Sequence, residues 1–342
     1  MQNLILYNSD KLNLELKPRK GETKFGEHVQ LITNFNNIYD DIYNLDVDYV
    51  IFGISEDIGV IANYGKPGTY KAWDTSIEYL LNTQSNDFIN AKRILILGHL
   101  DYSEKLLNLK SEELSAEERI KLAQKYTEDI DVSVSQLVEY IVKANKTPII
   151  IGGGHNNAYG NIKGTSMALD APINAINFDA HHDFRALEGR HSGNGFNYAY
   201  QEGYLKNYYV FGLHENYISE DDLKRINNSK TVSYTTYEAI EIRGDISFPK
   251  ALQSASEYVM DSQFGIEIDC DAIENVPSSA LTPSGFSTKQ ARQFTHTVGS
   301  LEQATYLHIC EAAPTPKTKS QVGKLISYLI TDFIKAHGYK HH

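Results

Sequence analysis

The sequence is poor in cysteine and in basic residues, and each shortage excludes a class of protein. Its 342 residues include two cysteines, Cys270 and Cys310, which are too few for a disulfide framework. Lysine and arginine number 32 against 44 acidic residues, which leaves a formal net charge of −12. Nucleic acids and anionic membranes are bound by clustered positive charge, so we expect neither as a partner.

Long apolar runs are missing as well. No stretch of the sequence approaches the roughly 20 apolar residues of a membrane-spanning helix. The first seven residues, MQNLILY, lack the basic start of a secretory signal, and we therefore expect a cytoplasmic protein. Hydrophobic residues make up 41% and charged residues 22% of the chain, which is typical of a globular protein.

Short apolar runs recur along the chain, with helix-like segments between them. Most of the runs have no polar alternation, which is typical of strands buried on both faces of a parallel sheet. A capping-box pattern at Ser115 opens a segment with helical apolar spacing, which predicts a helix to about Lys143. The eight predicted strands are Tyr49–Gly53, Arg93–Leu97, Pro148–Ile151, Asn174–Phe178, Tyr208–Gly212, Thr231–Tyr234, Phe264–Ile268 and Tyr306–Cys310.

Repeated strand–helix–strand units predict an α/β fold. Right-handed crossovers would build a three-layer αβα sandwich around a mainly parallel eight-stranded sheet. No linker or internal repeat interrupts the central part of the sequence, so we predict a single domain over residues 46–340. Residues 1–45 are less regular and are predicted to form an N-terminal arm or cap. Ligands of such sheets bind beyond the C-terminal ends of the strands.

Candidate metal ligands follow three of the predicted strands. Residues two apart in an extended chain point to the same side, so alternating Asp and His side chains converge. Four carboxylates packed together repel one another, and burying them requires cations. Their charge balances two divalent ions, and the mixture of carboxylate and imidazole ligands favours Mn²⁺, with zinc and iron left open. The six candidates are His155, Asp179, His181, Asp183, Asp269 and Asp271.

A binuclear site predicts hydrolysis. Two ions about 3.5–4 Å apart lower the pKa of a bridging water and hold it as hydroxide at neutral pH. Each pattern alone has a plainer interpretation. The Asp-x-His-x-Asp run could be a solvated loop, and Gly152 to Gly154 could form a tight turn or cradle a phosphate, although no P-loop lysine follows. The occurrence of all three patterns after separate strands favours the metal centre.

These residues resemble the motifs of the arginase and agmatinase family, the ureohydrolases. The likeness covers the glycine-rich segment ending at His155, the run from Asp179 to Asp183, and the pair Asp269 and Asp271, and it extends from about Tyr49 to Glu311. The resemblance implies an arginase-like fold, two Mn²⁺ ions per chain and a homo-oligomer. One manganese would be held by His155, Asp179, Asp183 and Asp269, and the other by Asp179, His181, Asp269 and Asp271.

The resemblance also implies substrate contacts. Ser192-Gly193-Asn194 is similar to the family's substrate loop, so Ser192 and Asn194 are candidate contacts. Glu311 is similar to the glutamate that binds the planar cationic end of the substrate, although a surface acid is the alternative. By the same resemblance, Asp183 would hydrogen-bond the attacking hydroxide and receive its proton.

Within the superfamily, the run from Asn177 to Arg185 looks most like formimidoylglutamases. Arginases carry asparagine in place of Arg185. A fixed guanidinium suits N-formimino-L-glutamate, an amidine with two carboxylates, although Arg185 could instead pair with Glu188 or a site aspartate. The sequence departs from the arginase pattern at Phe196, which replaces a proton-shuttling histidine, and at Glu274, which lacks the adjacent proline.

The implied reaction is hydrolysis of N-formimino-L-glutamate to L-glutamate and formamide in histidine degradation, by attack of a metal-bridging hydroxide. One alternative is a ureohydrolase acting on arginine, agmatine or a guanidino acid. Another is a metal-binding protein of the same fold without turnover. His191 could take the place of the missing shuttle, and we interpret Cys270 and Cys310 as packing residues.

Overall fold

The computed structural model describes residues 3–32 and 37–338, which form an α/β fold around one nine-stranded sheet. The strands are β1 (Leu4–Leu6), β2 (Tyr49–Ser55), β3 (Ile94–Asp101), β4 (Thr147–Ile151), β5 (Ile173–Phe178), β6 (Leu205–Leu213), β7 (Val232–Thr236), β8 (Phe264–Asp269) and β9 (Ala304–Cys310).

Helices cover both faces of this sheet. They are α1 (Ser9–Glu15), α2 (Ile38–Asn44), α3 (Ile58–Ala62), α4 (Ala72–Leu81), α5 (Ser103–Leu109), α6 (Ala116–Lys143), α7 (Asn157–Leu169), α8 (Gly195–Gln201), α9 (Glu220–Asn228), α10 (Phe248–Val259), α11 (Thr288–Gly299) and α12 (Lys319–Gly338). Among the described residues, none of the helices combines the length and the apolar character that crossing a membrane requires.

The strand order is β1-β3-β2-β4-β9-β8-β5-β6-β7, and every pairing except that of β1 is parallel. The predicted α/β fold is therefore confirmed, and each of the eight predicted runs corresponds to a strand, although the runs at Arg93 and Thr231 begin one residue early. The predicted number of strands was one too low. The extra strand, β1, comes from the segment predicted as an arm or cap, and it forms one edge of the sheet by pairing antiparallel with β3. The division into an arm and one domain stays a prediction.

The strands are apolar throughout because both faces of the sheet are covered. In β2, Ile51 packs into the core beside α4, α11 and α12, whereas its neighbours Val50 and Phe52 pack into the core beside α6 and α7. The predicted long helix is confirmed as α6. Its capping box is formed, since Ser115 Oγ accepts from the backbone N–H of Glu118 at 3.2 Å and Glu118 accepts from that of Ser115 at 2.9 Å.

The strand order decides where the predicted ligands meet. Strands β4, β9, β8 and β5 are consecutive neighbours at the centre of the sheet, and they run parallel. Their C-terminal ends therefore lie side by side on one edge of the sheet. The candidate ligands lie at or just after the ends of three of these four strands, and Glu311 follows the fourth.

Candidate metal centre

The C-terminal ends of β4, β5 and β8 and the loops after them bring carboxylates from three aspartates around one histidine. His155 Nδ1 lies 2.9 Å from Asp183 Oδ2, 3.2 Å from Asp269 Oδ2 and 3.3 Å from Asp179 Oδ2. A single ring nitrogen offers at most one proton, so it cannot satisfy three carboxylates as a donor. Four donor atoms that converge in this way are typical of the ligands of one cation.

A second group lies beside the first and shares a member with it. His181 Nδ1 is 3.1 Å from Asp271 Oδ2 and 3.6 Å from Asp179 Oδ1. The structure therefore places His155, Asp179, Asp183 and Asp269 in one group, and Asp179, His181 and Asp271 in the other. The first group has the same members as the set predicted for one manganese. The second lacks Asp269, which was predicted to bridge.

Backbone and side-chain donors fix the direction of these carboxylates. The N–H of His181 donates to Asp179 Oδ1 at 2.6 Å, and the N–H of Asp271 donates to Asp269 Oδ1 at 2.7 Å. Asn177 Nδ2 donates to Asp179 Oδ2 at 2.7 Å. Asp183 adopts a left-handed backbone conformation with φ of 43°, which is costly for a residue other than glycine and is common at functional sites.

The loop that carries His155 is clamped by Glu56, a fully buried residue. Glu56 Oε1 accepts from the N–H of Gly154 at 2.7 Å and from Asn157 Nδ2 at 2.8 Å. The preceding residue, Gly153, has φ of 73°, and a Cβ added there would lie 2.4 Å from Asn157 Nδ2. Glycine is therefore required at this position, because both the backbone angle and the space exclude a side chain.

The charges of the cluster are not balanced by the protein. Burial raises the pKa of Asp269, and the negative charges of Asp271 and Asp179 raise it further. Burial and the charge of Asp179 likewise raise the pKa of Asp183. For Asp179 itself the effect of burial is outweighed by His155 and His181, which lower its pKa. The raised pKa values of Asp269 and Asp183 indicate that these carboxylates have too little positive charge around them, and divalent cations would provide it.

An unpaired carboxylate oxygen supports the same interpretation. Asp271 Oδ1 is buried and has no hydrogen-bond partner among the residues that the structure describes, whereas Asp271 Oδ2 lies beside His181. Buried polar atoms are normally paired, and an unpaired carboxylate oxygen within a group of ligand-type atoms suits an ion. The chemistry of the donors and their spacing therefore fit a pair of divalent cations.

Glu311 lies beside the first group, at the end of β9. Its Oε1 accepts from the backbone N–H of His155 at 2.8 Å, and its Oε2 accepts from Ser279 Oγ at 2.6 Å. The side chain is buried, so the alternative of a surface acid does not hold. Burial raises the pKa of Glu311 to about 8, and Asp271 contributes to the rise. A buried carboxylate of this kind is stabilised by a cationic partner.

Arg185 lies at the rim and is half-exposed. Its guanidinium donates to Glu188 Oε1 at 2.7 Å and to Asn63 Oδ1 at 2.9 Å. The alternative ion pair with Glu188 is thus formed in this structure. Asn63 Nδ2 donates in turn to Ser192 Oγ at 3.1 Å, so the predicted substrate contacts Arg185 and Ser192 are brought together.

Asn194 is occupied within its own loop. Its Oδ1 accepts from Arg190 Nη1 at 2.7 Å and from the N–H of His191 at 3.1 Å, and its Nδ2 donates to the carbonyls of Ala186 and Gly189. The side chain is fully buried. These bonds hold the loop in shape, and a substrate contact of Asn194 stays a prediction.

The residues at the departures from the arginase pattern are also placed. Phe196 is fully buried, with its ring 4.2 Å from that of Tyr208 and edge-on to His155 at 5.2 Å. His191 is buried, and burial and the charge of Arg185 lower its pKa to about 4. Glu274 is exposed and lies outside the two groups of ligands.

Spacing alone did not single out four buried residues near the site, namely Glu56, Glu267, Tyr306 and His308. For Glu267 and His308 a signal exists in the sequence, because each interrupts an otherwise apolar strand.

Cys270 and Cys310 are buried, as packing residues are. A third group of ligand-type atoms contains His155, His308 and Cys310. Both ring nitrogens of His308 are engaged in hydrogen bonds, with Glu267 and with the carbonyl of Gly152.

Comparison with known proteins agrees with the fold and the site. The family model described as the arginase family matches residues 50–335, and the chain belongs to this family. The sequence-based prediction of an arginase-family hydrolase is thereby confirmed. A formimidoylglutamase of Macrococcus caseolyticus is 26% identical over 294 residues, which cover 83% of each chain. A formimidoylglutamase of Streptococcus gordonii is 24% identical over 246 residues, or 70% of this chain and 68% of the relative.

Solved structures show the same fold. A Trypanosoma cruzi formiminoglutamase with Mn²⁺₂ superposes with a TM-score of 0.72 at 17% identity, covering 92% of this chain and 98% of that one. The formimidoylglutamase of Bacillus subtilis gives a TM-score of 0.70 at 15% identity, covering 95% of each chain.

Proposed function

We propose that the protein is a binuclear manganese hydrolase that cleaves the amidine C–N bond of N-formimino-L-glutamate, giving L-glutamate and formamide, as in histidine degradation. The observation that carries the proposal is the pair of ligand groups joined by Asp179, with buried Glu311 beside them. The names of the curated relatives, which are formimidoylglutamases, support this choice of substrate. A cytoplasmic location and a homo-oligomeric state stay predictions.

His155, Asp179, Asp183 and Asp269 would hold one ion, and His181 and Asp271 would hold the other together with Asp179. We keep the expectation that Asp269 also serves the second ion, and its Oδ1 accepts a hydrogen bond from the N–H of Asp271, a member of the second group. Two divalent ions bound there would supply Lewis acidity and lower the pKa of water.

The protein's own residues would bind the substrate and move a proton. Glu311 would accept hydrogen bonds from the cationic formimino nitrogens, which provide the positive partner that its burial calls for. Asp183 would take a proton from the attacking water and deliver it to the glutamate nitrogen. In the overall reaction the water oxygen joins the formimino carbon, the C–N bond to glutamate breaks, and the glutamate nitrogen leaves protonated.

Arg185 would bind a carboxylate of the substrate. Its present partner Glu188 is half-exposed, so this ion pair is weak and can be exchanged for a substrate carboxylate. The same pair also keeps a second candidate function open. With Arg185 neutralised by Glu188, the rim does not exclude arginine or agmatine, so hydrolysis of a guanidino substrate is the alternative.

The test is turnover by the purified, Mn²⁺-loaded protein. We expect formamide and glutamate from N-formimino-L-glutamate, and little urea from arginine or agmatine run in parallel. An Asp269→Asn variant serves as the control for contaminating activity. Urea without formamide would replace the proposal with the guanidino alternative. No product from any of the three substrates would favour a metal-binding protein without this activity.

A further inference from the structure

A row of polar side chains lies one layer below the metal ligands. Asn177 on β5, Glu267 on β8 and His308 on β9 are register neighbours across three adjacent strands, and all three are fully buried. The interior of a parallel sheet is normally apolar, and a buried charge is costly unless it is paired. The proposed reaction assigns no role to Glu267 or His308, so their presence requires an explanation.

Glu267 is held rigidly by two neighbours on β9. Its Oε2 is 2.5 Å from His308 Nδ1, and its Oε1 accepts from the hydroxyl of Tyr306 at 2.7 Å. On its other side, His308 Nε2 is 3.3 Å from the carbonyl of Gly152. A carbonyl can only accept, so Nε2 of His308 carries a proton. Gly152 opens the loop that leads to His155, and the network therefore ties the carboxylate to that loop.

The Nε2 atom of His155, which has no hydrogen-bond partner among the described residues, faces the carboxylate of Glu267. Its Nδ1 lies among the aspartates of the first group, whereas its Nε2 is 3.6 Å from Glu267 Oε2, just beyond hydrogen-bonding distance. A neutral histidine that binds a metal through Nδ1 carries its proton on Nε2, where it needs an acceptor. The nearby thiol of Cys310 is a weaker acceptor than a carboxylate, and it donates its own proton to the carbonyl of Ile268 at 3.5 Å.

We propose that Glu267, held by Tyr306 and His308, is a positioning residue that accepts the Nε2–H of His155 and directs Nδ1 to the cation of the first group. This inference rests on the proposed metal centre. Carboxylates placed behind a metal-bound histidine orient the ring and raise its basicity, and their loss typically costs roughly 10–100-fold in metal affinity. Because His155 belongs to the first of the two proposed ion-binding groups and not to the second, we expect the effect at one of the two ions.

The test is Mn²⁺ binding to the metal-free full-length protein, measured by calorimetry and by electron paramagnetic resonance of the free ion. Glu267→Gln keeps the shape of the side chain but removes its charge. We expect a roughly 10–100-fold loss of affinity at one site and little change at the other, with a lower kcat and an unchanged KM. Adding the substitution to Asp271→Asn, which impairs the second group, should weaken the site that remains, which is that of the first group.

Two further variants separate this role from a loss of packing. Tyr306→Phe removes one hydroxyl from the network, and a loss of roughly 2–10-fold at the same site is expected. Asp332→Asn is the matched control, because it changes a buried carboxylate that pairs with Arg292 on α11, outside the ligand groups. It should leave both affinities unchanged.

The outcomes distinguish this inference from the proposed function. Wild-type affinity at both sites in Glu267→Gln, or an equal loss at both, would overturn the positioning role while leaving the metal centre intact. A wild-type protein that binds no Mn²⁺ would overturn the proposed metal centre, and the positioning role with it.

Discussion

Replacing Glu311 by glutamine removes the charge that we expect to bind the substrate, while the shape of the side chain is kept. Both hydrogen bonds of Glu311 can survive the change. The amide oxygen can still accept from the N–H of His155, now at 2.8 Å, and the amide NH₂ can donate to the hydroxyl of Ser279, now at 2.6 Å. The loop should therefore stay folded, so that a loss of activity reports on the charge.

The size of the effect follows from the burial of Glu311. Its exposed fraction is 3%, so solvent screens the ion pair with the substrate poorly. Truncating one partner of a buried charge pair costs about 2–5 kcal/mol. At about 1.4 kcal/mol for each tenfold change, kcat/KM for N-formimino-L-glutamate should fall by roughly 30- to 4,000-fold.

The assay is formamide release by Mn²⁺-loaded protein, with bound metal measured on the same samples. Glu274→Gln is the matched control, since this exposed acid lies outside the ligand groups and should behave as wild type. A Glu311→Gln protein with wild-type kcat/KM would refute the substrate role. If the variant instead lost its manganese, Glu311 would act on the His155 loop rather than on the substrate.

Three further changes test other parts of the site. Asp269→Asn removes a ligand and should lower Mn²⁺ affinity and activity together, by more than the roughly 10–100-fold cost of losing a supporting residue; unchanged metal content would contradict the ligand assignment. Arg185→Gln should raise the KM for N-formimino-L-glutamate by roughly tenfold or more, because a charge-assisted hydrogen bond contributes about 1.5–3 kcal/mol. Equal effects on a carboxylate-free formamidine would reject the carboxylate contact. The pKa of His191, about 4, lies below its ordinary value of 6.5, so between these pH values the unfolded chain binds a proton that the folded chain does not, and stability falls as the pH falls. The free energy of unfolding, measured with denaturant, should fall between pH 7 and pH 4.5 by up to about 3 kcal/mol less in His191→Asn than in the wild type. Equal losses in the two proteins would contradict the assignment.

The central strands could be predicted from the sequence because helices cover both of their faces. A strand such as β5, Ile173–Phe178, is buried at every position and reads as one continuous run. β1 could not be predicted in this way. It has three residues, too few to show a period, and it exists because the edge of β3 is available for pairing.

The ligands could be predicted because alternation along a short extended segment fixes which side chains point together. This local rule places Asp179 and His181 on one side of their segment, and the parallel order of the strands brings them together with the ligands from β4 and β8. The rule does not extend to the rim. Whether Arg185 pairs with Glu188, and whether Asn194 turns into its own loop, depends on how the segment after Asp183 folds back.

The support behind the ligands depends on contacts that spacing along the chain does not reveal. Glu267 and His308 are 41 residues apart, and Glu56 and Gly154 are 98 apart, yet each pair is in direct contact. A polar residue inside an apolar strand shows that a partner must exist, since a buried charge is otherwise too costly. The strand order identifies the partner. Glu267 on β8 meets His308 because β8 and β9 are neighbours, and the loop that carries His155 is close because β4 adjoins β9. His155 therefore takes its metal-facing side from local spacing and its proposed acceptor from the topology of the sheet.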